Sequence, residues 1–291
     1  MMKKLIAGAT LAALSTGAFA ADYTDGNIHK NDYAWSQFNL MVAVDEHPGG
    51  DGHHDYLEME FGGRSGIFAL YGYVDVFNLT NNSNQDKFDG SSKMFMKFAP
   101  RVSLDALFET DLSYGPIQEV YFSTLFNWGG GQIQGLQEEV ETTTGDKVDV
   151  ELDGDINNSF WGLGADVNVP WLGTTSVNLY GLYDINANKW DGYQFSANWF
   201  KPFFFFENKS FLSFQGYVDY QWGIDKVAFG PGAVLKTDKG GAAFLGLYWH
   251  SDRYAVGYGL KAYKDVYGLK DGGIAGNTTG FGHYFAVTYK F

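Results

Sequence analysis

Thirteen side chains in this sequence could act on a solute. Glu58, Glu60, Asp75 and Asp219 are acidic, Lys93, Lys97 and Arg101 are basic, and Tyr71, Tyr73, Phe95, Tyr217, Phe244 and Tyr248 are aromatic. Within each stretch of chain (58–60, 71–75, 93–101, 217–219 and 244–248) neighbours stand two or four residues apart, the spacing that puts side chains of an extended chain on one face. The positions between them hold Leu70, Val74, Val76, Met94, Met96 and Phe98. If this apolar set faces lipid, the thirteen face a water-filled interior. The same parity turns Tyr121, Tyr180, Phe200, Phe211, Asn178, Gln194, Asn198 and Gln215 inward. Aromatic faces stack on planar rings at about 1–3 kcal/mol each. Amides, carboxylates and cations bond hydroxyls. Several weak sites in series let a solute enter and still leave, and a neutral, flat, polar-rimmed solute fits such a wall. Two structural roles compete with this reading. The tyrosines can fill space, and the basic stripe is expected to pair with Glu58, Glu60 and Asp75.

Other constellations carry less. Asp45-Glu46-His47 and Asp51-Gly52-His53-His54-Asp55 crowd metal donors into one segment, with neither zinc-motif nor EF-hand spacing. Between 138 and 155 eight acids stand against Lys147, which reads as a solvated external loop. Nucleophilic catalysis needs Ser and His within hydrogen-bond reach. The outward His283 and Ser36 lie near opposite strand ends, roughly 20 Å or more apart. A lipid-facing hydrolase of the outer-membrane phospholipase kind is therefore not assembled. No metal or other cofactor is expected.

The elements that position these residues follow from the whole chain. Lys3 and Lys4, an apolar run, and Ala18-Phe19-Ala20 predict a secretory leader, residues 1–20, cleaved before Ala21. Even the most apolar later run, Trp199 to Phe206, is broken by Lys201 and Pro202, so no spanning helix is expected. Aromatic residues make up 18% of the chain, with 38 glycines, six prolines and no cysteine. That balance suits a membrane β-barrel better than a disulfide-stapled secreted domain. Without the leader, 18 basic side chains face 34 acidic ones, a charge of −16 that repels nucleic acid.

Near the end, Phe285, Val287, Tyr289 and Phe291 alternate with Tyr284, Ala286, Thr288 and Lys290. Such alternation recurs in twelve segments. They run near 35–44, 55–62, 66–76, 92–103, 116–127, 159–168, 175–184, 190–200, 210–222, 241–249, 253–263 and 281–291. The long connections fall mostly on one side, which makes that side external and the N-terminus periplasmic. The segments 185–189 and 104–115 fit least well, being respectively short and long for their sides. The expected fold is all-β, a single closed antiparallel transmembrane barrel of about twelve strands over 21–291 in a Gram-negative outer membrane.

Several segments resemble a known family: Tyr56-Leu-Glu-Met-Glu60, Tyr71-Gly-Tyr-Val-Asp75, Met94 to Asp105, Thr110-Asp-Leu-Ser-Tyr-Gly-Pro116 and Trp190-Asp-Gly-Tyr193. Together they resemble the Tsx-like nucleoside-specific channels, most closely the OmpK branch. The resemblance implies a monomeric twelve-stranded porin-like channel for passive uptake of nucleosides and similar small solutes. It also implies external loops that bacteriophage tail proteins use as a receptor. Lys97 and the acidic 128–158 segment depart from the family pattern. A terminal Phe291 resembles the signal read by the barrel-insertion machinery, and the expected surroundings are outer-membrane lipid and lipopolysaccharide. A surface receptor or adhesin without specific transport is the alternative.

Overall fold

The computed structural model describes residues 22–48, 52–80, 93–129, 136–141, 147–152, 156–230 and 233–291. The expected leader lies outside these residues. Twelve strands form one closed antiparallel ring. They are β1 Tyr33–Val44, β2 His53–Ser65, β3 Phe68–Phe77, β4 Met94–Ser103, β5 Ile117–Gly129 and β6 Ile156–Val169, followed by β7 Gly173–Asp184, β8 Lys189–Phe205, β9 Phe211–Trp222, β10 Lys239–His250, β11 Tyr254–Lys264 and β12 Gly280–Lys290. Each strand pairs with its sequence neighbours, and β12 returns to β1 with Gln37 opposite Lys290 and Val44 opposite His283. In hydrocarbon no water satisfies a free backbone group, so only a closed ladder can span.

The last strand shows how period-2 alternation becomes a wall. Phe285, Val287 and Phe291 are 52%, 53% and 55% exposed, whereas Tyr284, Ala286, Thr288 and Lys290 are at most 5%. Phe38, Leu40, Val42, Trp161, Leu163, Leu245 and Leu247 continue the exposed apolar face around the ring. It is the face a bilayer covers.

Connections on one rim are short: 66–67, 170–172, 206–210 and 251–253. The exception on that rim is 104–116, and its length has a cause. It begins with the helical turn α1, Leu104–Leu107, capped by Ser103, whose Oγ accepts the Ala106 N–H at 3.1 Å. The wholly buried Asp105 then accepts the N–H groups of Leu112 and Val120, both at 2.8 Å, while burial holds its carboxyl above the ordinary range. Tyr23, from the segment before β1, is seated against Ala106, Ile28 and Ile67. This rim is periplasmic by the short-turn rule.

The other rim carries the long connections. The acidic segment includes an antiparallel hairpin, Leu136–Glu141 with Lys147–Leu152, and the rest of 130–155 lies outside the described residues. A second hairpin pairs Val227–Gly230 with Ala233–Lys236. Its Leu235 packs on Leu269, Ile274 and Ala275 of the 265–279 loop.

The expected strand bounds differ most at β8, which runs five residues past 200. Pro202 has no N–H for the ladder, and a bulge between Pro202 and Phe204 absorbs it. The exposed Phe203, Phe204 and Phe205 thus belong to a strand end facing the membrane border.

Candidate functional site

A cavity of about 790 Å³ runs along the barrel, lined from Tyr33 and Trp35 at the start of β1 to Glu46 and His47 beyond its end. Strand parity brings twelve of the thirteen sequence candidates onto its wall: Glu58, Glu60, Tyr71, Tyr73, Asp75, Phe95, Lys97, Arg101, Tyr217, Asp219, Phe244 and Tyr248. Lys93 is different. It stands exposed just before Met94, where β4 and its alternation begin, and is not among the lining residues.

The acids of β2 and β3 form one side of the wall, with Glu58 opposite Asp75 and Glu60 opposite Tyr73. Asn39 donates to Glu58 at 2.5 Å and to Glu60 at 3.1 Å. Gln37 and the Tyr71 hydroxyl also donate to Glu60, at 2.6 and 2.9 Å. Two members of the basic stripe pair with other acids than those expected. Lys97 instead reaches Asp219 of β9 at 3.4 Å, and Arg101 reaches Asp166 of β6 at 2.9 Å and Ser176 of β7 at 2.7 Å. Both cations extend along the lumen wall or across it, where the ring presents carboxylates the strand order alone does not place.

Aromatic rings form two rows. On one side Trp35–Tyr71, Tyr71–Tyr73 and Tyr73–Phe95 have ring centroids 6.3, 6.2 and 5.9 Å apart. On the other, Tyr217 and Phe244 stack at 5.9 Å and 14°, with Phe244 edge-on to Tyr284. Phe244 and Tyr248 lie flat over β11 because Gly259 and Gly257 beneath them have no side chain; a Cβ at either would overlap the ring. The Lys97 ammonium sits 5.9 Å from the Tyr73 ring and 5.5 Å from the Tyr217 ring, between the two rows.

Several lining residues were not among the sequence candidates, Lys261, Glu46 and Tyr267 among them. Lys261 lies over the rings of Tyr217, Tyr263 and Tyr284 at 5.0–6.0 Å, and the parity of β11 would have found it. Glu46, which accepts from Tyr284 at 2.8 Å, and Tyr267 enter from loops, where alternation carries no signal.

The barrel is also narrower than its strand number requires. A circular ring of twelve strands measures roughly 25 Å across at about 4.8 Å between strands and about 40° of tilt. A lysine and an aspartate meeting end to end span only roughly 12 Å between Cα atoms at bond lengths of about 1.5 Å. Yet β4 and β9 are five strand steps apart around the ring. Likewise Tyr248 of β10 shares a buried cluster with Tyr56 of β2, four steps away. The cross-section is therefore a slot.

Other chemistry is not assembled among the described residues. His54 meets Glu46, but His47 bonds the Asn277 carbonyl and Asp55 accepts from Thr80, so these donors do not gather into one site. No group of three or more metal donors converges among the described residues. His283 pairs with Val44, eight residues along β1 from Ser36, or roughly 27 Å at 3.4 Å per residue. Ser213 and His250 do share a hydrogen bond at 2.8 Å, but His250 Nδ1 has no partner, so no acid orients the ring.

Comparison with known proteins gives the following. The family model described as nucleoside-specific channel-forming protein, Tsx, matches residues 30–291. Outer membrane protein OmpK of Vibrio parahaemolyticus is 57% identical over 291 residues, covering all of both chains. The nucleoside-specific channel-forming protein Tsx of Klebsiella pneumoniae is 29% identical over 313 residues, again covering all of both.

Proposed function

This chain belongs to the Tsx family of nucleoside-specific channel-forming proteins and is an outer-membrane β-barrel, and on that premise we propose that it passes nucleosides and similar small solutes by passive diffusion. The observation that carries the reading is the shape and lining of the lumen together. A slot walled by aromatic faces accepts a flat base and excludes a bulky globular solute of equal mass. Glu58, Glu60 and Asp75, with Asn39 and Gln37, offer acceptors and donors for ribose hydroxyls as the base slides along Tyr71, Tyr73 and Phe95. Arg101, Tyr217, Asp219, Phe244 and Tyr248 continue the path on the other walls.

In this reading the channel works as a monomer among outer-membrane lipid and lipopolysaccharide. β12 with Phe291 after it is what the barrel-insertion machinery reads, and the long external connections are where bacteriophage tail proteins attach. No nucleic acid is a partner, given the acidic surface.

The test is block of single-channel current by adenosine and by a disaccharide in planar bilayers. Tyr71→Ala, Tyr73→Ala and Phe95→Ala should each weaken adenosine block by about five- to a hundredfold, the equivalent of about 1–3 kcal/mol per lost ring, with disaccharide block little changed. An unchanged ratio in all three folded variants removes the stacking role and puts the receptor reading ahead.

A further inference from the structure

We propose that Lys97 and Asp219 form a crossbar over the lumen whose lysine arm swings aside for each solute, which makes Lys97 the residue that sets what the channel admits. The proposal deepens the nucleoside-channel reading and rests on it for the identity of the solute.

The geometry is asymmetric. Asp219 is fixed from its own side of the barrel: Ser196 Oγ donates to it at 2.6 Å and Gln194 Nε2 lies at 3.5 Å, itself beside Gln221. Lys97 comes from the far wall, five strand steps away, and closes the span with a single 3.4 Å contact. The lumen narrows at this level. The main cavity passes this level and a second cavity of about 60 Å³ opens beside it, with Lys97, Asp219 and Tyr217 on the wall of both. A solute travelling the length of the slot meets this bar.

The bar can open at modest cost. Lys97 and Asp219 side chains are 18% and 25% exposed, so lumen water reaches both, and separating them does not strand a dry charge. Asp219 keeps Ser196 and Gln194 when the lysine leaves. Lysine is also the suitable cation, with a flexible four-carbon stem and no fork geometry to hold it. Its ammonium occupies the gap between the Tyr73 and Tyr217 rings. A flat aromatic solute that enters this gap takes over the ring contacts as the ammonium withdraws, whereas a sugar without a ring face gives no such exchange.

The experiment compares wild type, Lys97→Gln, Asp219→Asn and the reversed pair K97D/D219K in planar bilayers, with folding checked by the gel shift on heating. Each single variant should raise salt conductance roughly twofold or more and let a disaccharide through, because the bar no longer narrows the pore. The reversed pair should return both readings toward wild type. Unchanged conductance in both single variants, or a reversed pair as open as they are, overturns the crossbar. If Lys97→Gln fails to fold, Asp219→Asn alone decides, since it frees the lysine without removing it. Conductance does not depend on nucleosides. A wild type that adenosine fails to block, with the four conductances in the expected order, would therefore sink the nucleoside reading and leave the crossbar standing.

Discussion

At the periplasmic end Arg64 meets Glu119 through both terminal guanidinium nitrogens, at 2.6 and 2.8 Å, with each side chain only 6% exposed. Ser103 donates to the same carboxylate, and Tyr121 links the pair to Asp166 and so to Arg101. Within the lumen Lys97 touches Asp219 once, at 3.4 Å, with the two side chains 18% and 25% exposed. The two regions use the same charges differently. The first has a dry, forked core, Arg64 and Ser103 on Glu119, that ties β2, β4 and β5 together. The second is a wet, single contact that spans open space. Desolvation decides the difference: a buried charge that loses its partner is costly, whereas a hydrated one is not.

That contrast can be broken most directly at Arg64. Arg64→Leu leaves Glu119 buried without its cation and should cost about 3–5 kcal/mol, read as a lower urea midpoint for unfolding in detergent micelles. Loss of less than about 1 kcal/mol would mean that the periplasmic network is as wet as the crossbar. Next in size is Gly259→Val. The new side chain forces Phe244 off the wall, and overpacking of this kind should cost about 1–3 kcal/mol while weakening adenosine block. Full stability with unaltered block would show that the ring finds other room. Lys97→Gln, by contrast, should cost less than about 1 kcal/mol in the same urea unfolding. A loss as large as that of Arg64→Leu would erase the distinction between the regions.

The smallest expected effect is a pH response of the external mouth. Asp271 accepts the N–H groups of Thr278 and Thr279 at 3.0 and 3.1 Å, and the first of these bonds above all draws its carboxyl below the ordinary value. A freed Asp271 binds its proton near pH 3.9 or so; the fastened one waits for lower pH. The fastening of the 265–279 loop is thus complete above the ordinary value and is lost as pH falls through the lowered one. Channel current should be quiet at neutral pH and flicker in strong acid, and Asp271→Asn should remove the dependence. Flicker that begins at neutral pH would place the cause elsewhere.

Much of the wall was legible in the sequence because a membrane barrel writes its two faces with period 2. Tyr284 to Phe291 gave both faces of β12, and the same rule brought Tyr71, Tyr73 and Asp75 inward. Three kinds of feature were not legible. Pro202 reads as a strand end, although a bulge carries β8 to Phe205. Lys93 shares the parity of Lys97, but β4 has not begun there. The partners of Lys97 and Arg101 depend on how far the ring is flattened, a property of the whole barrel that no local period encodes. Tyr267 and Glu46 reach the lumen from irregular loops and so left no trace in the alternation.

The slot has a consequence for how such proteins diverge. Twelve strands fix the perimeter of the ring, but a fixed perimeter encloses an area that falls continuously as a circle is pressed toward a line. Strands hinge about their shared ladders without breaking them, so side chains meeting across the interior can alter the open area while every backbone bond is kept. A lineage can thus travel between a generous pore and a nearly sealed one through lumen substitutions alone. Strand number and pairing then stay constant while permeability does not.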